Sequence, residues 1–108
     1  MVGKYEVVTL CGSTKFKEDF IKAQESLTLS EHIVVSVGLF GHADNKYQEI
    51  TPDVKSMLDD MHKRKIDMAD RILVINRNDY IGESTRSEIE YAKSTGKKIT
   101  YMFEHKES

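Results

Sequence analysis

The 108-residue sequence has one cysteine, one proline and no tryptophan. A single thiol, Cys11, can form no internal disulfide, so the fold must rest on its core, and the reading is a reducing, cytoplasmic setting. No apolar run reaches the length of a membrane span or of a leader's hydrophobic region. The longest near the start, Val7 to Cys11, is interrupted by Thr9. Charge of one sign is also missing. Sixteen bases are interleaved with eighteen acids for a net charge of −2. That excludes a dedicated nucleic-acid-polymer surface, but a nucleotide monomer needs only a few donors. No Cys/His cluster has the spacing of zinc ligands. Neither a metal nor an organic cofactor is expected. Repeats, low-complexity stretches and linkers are lacking, so residues 1–108 read as one domain.

A chain of this length, 39% hydrophobic, can bury a core unaided. Tyr5 to Cys11 is short, β-branched and bounded by Gly12, and reads as a buried strand. Ser13 or Thr14 then caps a helix running to about Leu29, with Phe16, Phe20, Ala23 and Leu27 facing the sheet. Ile33 to Val37 is a second strand. Gly38 to Pro52 is a long loop, and loops of that length are often functional. Pro52 follows the cap Thr51 and opens a helix whose buried stripe is expected to be Val54, Leu58, Met61 and Met68. Arg71 to Ile75 is a third strand and Asn76 to Gly82 a turn-rich loop. Thr85 to about Thr95 is a helix stopped by Gly96. Lys98 to Phe103 is a last strand.

This β-α-β-α-β-α-β order predicts a small α/β fold, a flavodoxin- or Rossmann-like doubly wound parallel sheet of four to five strands with helices on both faces. The expected strand order is 2-1-3-4. Ligands of such sheets bind beyond the strand C-termini where the winding reverses, between the first and third strands. Three segments should meet there: Gly12–Thr14, the loop after Val37, and Asn76–Glu88.

Each segment carries a chemical reading and a plainer one. At Gly12, Ser13 and Thr14 a strand ends, backbone approach is open and a helix begins, which suits an anion; an ordinary turn and cap explains the same residues. At Gly82 another helix start follows, to which Ser84, Thr85 and Ser87 bring hydroxyls beside Arg86, suited to a phosphate or sugar. Against this, Thr85-x-x-Glu88 has the form of a capping box. His62 has Asp59 one turn earlier, so the two can pair, whereas a lone helical histidine is usually surface. Asp67 and Asp70 are assigned no special role. Phe40 and His42 can stack on or hydrogen-bond a base, or simply anchor their loop.

Together these segments resemble the nucleoside 2-deoxyribosyltransferases and the related 2′-deoxynucleoside 5′-phosphate N-hydrolases. The resemblance is carried by Leu10-Cys11-Gly12-Ser13, Ala69-Asp70 and Glu88-Ile89-Glu90-Tyr91-Ala92, and covers most of the chain in element order. It implies that Glu88 is a nucleophile attacking the anomeric carbon of a deoxyribose, as carboxylates do in glycosidases. It also implies that Gly12 and Ser13 bind sugar or phosphate, and that Ser84, Thr85 and Ser87 lie where relatives hold a 5′-phosphate. An aspartate of the family falls in the register of His62, and the position of Glu90 is usually glycine. The family pattern further implies a homo-oligomer. The expected activity is cleavage or transfer at the N-glycosidic bond of a 2′-deoxynucleoside or its 5′-monophosphate, with Glu88 as nucleophile and His62 or Asp59 as acid or orienting partner. A non-catalytic nucleotide-binding module on the same fold is the alternative, and a partner-binding domain without a small ligand is the third. Membranes and nucleic-acid polymers are not expected as partners.

Overall fold

The computed structural model describes residues 2–40 and 51–106. Four strands, β1 (Glu6–Gly12), β2 (His32–Val35), β3 (Arg71–Ile75) and β4 (Lys98–Tyr101), form one all-parallel sheet in the order β2-β1-β3-β4. Helices α1 (Lys17–Leu29), α2 (Pro52–Asp67) and α3 (Glu83–Ser94) connect them. The doubly wound α/β fold expected from the element alternation is therefore the fold of the chain.

Period-two alternation in the strands builds two cores. Val8, Leu10 and Ile75 point to one face and pack on Phe20 and Ala23 of α1. Cys11, Ile72 and Val74 point to the other and pack on Ile66 of α2 and on Ile89 and Ala92 of α3. The expected sheet-facing side of α1 holds, with Phe16 and Leu27 flanking the first core. That of α2 does not: Val54, Met61 and Met68 are exposed, while His62 and Ile66 are buried. Position 62 to 66 is a helical i,i+4 step, so a polar histidine occupies the inward face and methionines the outward one.

Two helix ends follow the expected sequence chemistry. Thr51 caps α2 by accepting the Val54 N–H, with Pro52 behind it. Gly96, at φ 75°, closes α3 with a Lys97 N–H to Ala92 carbonyl bond, the Schellman pattern. At α1, however, a 3-10 turn over Thr14–Phe16 intervenes, and the α-helix starts only at Lys17. Strands β2 and β4 end two residues earlier than expected, at Val35 and Tyr101. Asp67 and Asp70, assigned no role from sequence, both fasten elements. Asp67 accepts the Tyr91 hydroxyl at 2.6 Å, and Asp70 exchanges two bonds with the Val7 backbone.

The loop after β3 is clamped from both sides. Arg77 makes two 2.7 Å bonds to the buried Asp19 of α1. Fully buried Asn76 accepts the Phe103 N–H and donates to Asp79 and to the Phe103 carbonyl. Asp79 in turn holds His105 at 2.8 Å. These bonds fix Asn78 and Asp79 in the left-handed region and so set where Gly82 and α3 begin. Asn76→Ala, which strands the Phe103 N–H, should lower stability by about 2–3 kcal/mol, read as a lowered urea midpoint. A loss below about 0.5 kcal/mol, the level of an ordinary surface substitution, would remove Asn76 as the organiser of this loop.

Candidate functional site

β1 pairs with β2 only as far as Thr9↔Val35, but with β3 as far as Gly12↔Ile75. The winding reverses between β1 and β3, and their C-terminal ends open onto a cleft of about 750 Å³. Its walls come from Gly12–Thr14, Val37–Leu39, the α2 stretch Lys55 to Lys65, and Tyr80 to Glu88. The three segments expected at the switch point therefore do meet. Gly12 is required there: a Cβ would lie 2.9 Å from both the Cβ and the carbonyl oxygen of Ile75.

The sequence-derived site residues divide. Gly12, Ser13, Thr14, Asp59, His62, Gly82, Ser84, Thr85 and Glu88 line the cleft. Ser87 is exposed and off its lining. Phe40 also lies off the lining and packs edge-on against Phe20 at 5.3 Å, the loop-anchor role. His42 lies outside the described residues. Ser13 caps only the 3-10 turn, so the dipole of α1 begins a turn beyond the Gly12–Thr14 corner.

Two local readings are corrected. α3 begins at Glu83 with Gly82 as its N-cap and no side-chain cap bond. Thr85 is thus inside the first turn, the capping box does not form, and Glu88 has no capping duty. The backbone N–H groups of Glu83, Ser84 and Thr85 precede the first helical bond, Arg86 N–H to Gly82 carbonyl, and stand at the cleft. Asp59 does not pair with His62 but with Lys55, at 3.0 Å.

At the cleft floor the fold joins three groups from three elements. His62 Nε2 of α2 lies 3.4 Å from the Cys11 Sγ of β1 and 3.8 Å from Glu88 Oε1 of α3. Cys11 is fully buried, and the side chains of His62 and Glu88 are only 8% and 14% exposed. Burial sets their protonation. It raises the Glu88 carboxyl to about 7, aided by the negative charge of Asp59 and opposed by a hydrogen bond from Cys11 and by Lys63 and Lys55. It lowers His62 to about 4, with Lys65 adding to the effect and Asp59 and a backbone bond to Leu10 opposing it. It pushes the Cys11 thiol well up, helped by Glu88. At neutral pH the histidine is uncharged, so its contact with Glu88 is not an ion pair.

Cys11 is the residue that sequence reasoning missed: a lone thiol offers no disulfide, and within Leu10-Cys11-Gly12-Ser13 it reads only as part of the motif. Strand alternation held the clue: positions 9 and 11 share the face that α2 and α3 cover, and the Thr9 hydroxyl indeed bonds the Lys65 carbonyl. Linear zinc spacing was equally silent, since Cys11, His62 and Glu88 lie far apart along the chain.

Fold and site together define a doubly wound α/β protein with a buried carboxyl–imidazole–thiol cluster at the topological switch point. No family model and no curated protein matches the chain. Among the described residues no helix is long and apolar enough to cross a membrane.

The two shifts oppose each other in stability. Glu88, raised from 4.5 to about 7, contributes stability that is full below pH 4.5 and lost as pH rises through 7. His62, lowered from 6.5 to about 4, contributes stability that is full above pH 6.5 and lost as pH falls through 4. Each amounts to about 3 kcal/mol, and between pH 4.5 and 6.5 the slopes cancel. Glu88→Gln should therefore gain stability from pH 4 to 6.5 and stay level above, while His62→Gln should lose it steadily from pH 4.5 past 7. Urea midpoints across this range provide the test. Parallel curves for Glu88→Gln and the native chain from pH 4.5 to 7 would show that Glu88 is not held protonated by burial.

Proposed function

We propose that the chain cleaves or transfers at the N-glycosidic bond of a 2′-deoxynucleoside or its 5′-monophosphate, through a covalent bond between Glu88 and the sugar. The observation that supports this reading above the others is the position of Glu88. It is a nearly buried carboxyl, free of any capping role, on the floor of a cleft large enough for a nucleotide.

On this reading the ionised Glu88 attacks the anomeric carbon as the bond to the base breaks. The departing base takes a proton from water or from the Asp59–Lys55 wall. Uncharged His62 is not the acid. It suits the second half of the reaction, in which it accepts a proton from the water, or from the incoming base, that resolves the ester. Gly12, Ser13 and Thr14 would face the sugar. The free N–H groups at the start of α3, with Ser84 and Thr85, would face a 5′-phosphate. Glu83 at the same turn is an acidic group working against that phosphate.

Chromatography of a panel of 2′-deoxynucleosides and their 5′-monophosphates, incubated with the protein, tests this. Base should be released or exchanged, faster from the monophosphates, and Glu88→Gln should lose at least about a thousandfold in rate, about 4 kcal/mol, while remaining folded. The native rate should rise with pH through about 7 as Glu88 ionises. Tight nucleotide binding without any base release would instead make the protein a binding module, and a rate insensitive to Glu88→Gln would remove the covalent mechanism.

A further inference from the structure

The cluster of Cys11, His62 and Glu88 offers one sulfur, one nitrogen and one carboxylate oxygen, all within 4.8 Å of one another. A zinc ion with bonds of about 2.3 Å to sulfur and about 2.0–2.1 Å to nitrogen and oxygen, arranged tetrahedrally, needs ligand–ligand edges of about 3.3–3.6 Å. The sulfur–nitrogen edge is already 3.4 Å and the nitrogen–oxygen edge 3.8 Å. Two of the three edges therefore need only tenths of an ångström of adjustment around an ion, and the sulfur–oxygen edge, within 4.8 Å, closes by at most about 1.2 Å. We infer that Cys11, His62 and Glu88 form a binding site for one thiophilic divalent cation, of which zinc is the type case.

Three further features fit. The ligands come from a strand and two helices packed in the same core, so their backbones are held by burial and not by loops. A thiolate and a carboxylate carry two negative charges between them, which a divalent ion cancels inside a poorly solvated pocket. The sulfur also favours zinc, cobalt or copper over magnesium or calcium. Cys11 lies behind the lining while His62 and Glu88 reach the cleft. That leaves the fourth coordination position toward the cleft, the arrangement of sites that keep an exchangeable water. On binding, one divalent ion replaces the thiol proton of Cys11 and any proton on Glu88, and His62 gives its lone pair. Both protons go to solvent. A bound ion uses the carboxylate that the proposed reaction needs. This last consequence rests on the glycosidase reading: the ion should inhibit base release.

The test uses the full chain, reduced with a non-chelating phosphine and titrated with cobalt(II). One equivalent should bring up the sulfur-to-cobalt charge-transfer band in the near ultraviolet, and zinc should displace it. Cys11→Ser should abolish the band, and His62→Ala and Glu88→Gln should each weaken binding at least tenfold. In the zinc-loaded native chain, X-ray absorption should find one sulfur among otherwise nitrogen and oxygen ligands, a readout that needs no variant to fold. No band, a band that survives Cys11→Ser, or a sulfur-free zinc shell would each overturn the site. Base release without a cobalt band removes the metal site and leaves the glycosidase reading. A cobalt band without base release does the reverse. Full activity with zinc bound would overturn the mutual exclusion of the two.

Discussion

β1 and β3 run side by side from Val8↔Arg71 to Gly12↔Ile75, and at the last pair they approach so closely that no side chain fits at position 12. That contact brings two chain ends to one point while the crossovers leave in opposite directions, to α1 on one face and to α3 on the other. The space between the diverging connections is the cleft. Its floor is made of whatever the strand ends and the inward helix faces present. In this chain those are a thiol, an imidazole and a carboxyl.

The electrostatics of that floor follow from burial. A carboxyl, an imidazole and a thiol placed together in water would carry their ordinary charges. With Cys11 fully buried and the other two nearly so, each is driven toward its neutral form. Such a cluster costs stability at neutral pH relative to an apolar floor. Groups kept near the point of ionisation in a cleft are a mark of functional sites. The charges around the floor also have hydrogen-bond partners of their own: Asp59 with Lys55, Lys65 with the Ser36 carbonyl, and Asp67 with Tyr91.

The nucleophile and metal-ligand readings draw on the same carboxylate under different conditions. A nucleophile needs Glu88 ionised and open to the sugar. A ligand needs it ionised and turned toward Cys11 and His62. The fold permits both because Glu88 stands one turn inside α3, within reach of the floor and of the cleft. The clamps on the preceding loop, Arg77 to Asp19 and Asn76 to the Phe103 backbone, hold α3 in that register.

Much of the architecture was legible in the residues. Short β-branched runs alternating with helical ones led to the parallel sheet and its order. Thr51-Pro52 and Gly96 marked helix ends through local backbone chemistry that needs no partner. The site was legible only in part. Glu88, His62 and the Gly12 corner stood out, but the sequence read Thr85 to Glu88 as a capping box, and the structure starts α3 two residues earlier. Which register wins depends on where the clamped loop ends, a tertiary matter. The face of α2 was misread because methionine is apolar and histidine polar, whereas packing against β1 and α3 decided which side turned inward. Cys11 carried no local signal beyond its strand. Local propensity and periodicity therefore determined the elements and their order. The meeting of Cys11, His62 and Glu88 was decided by tertiary packing alone, because contacts between groups 51 and 26 residues apart exist only once the sheet has placed them.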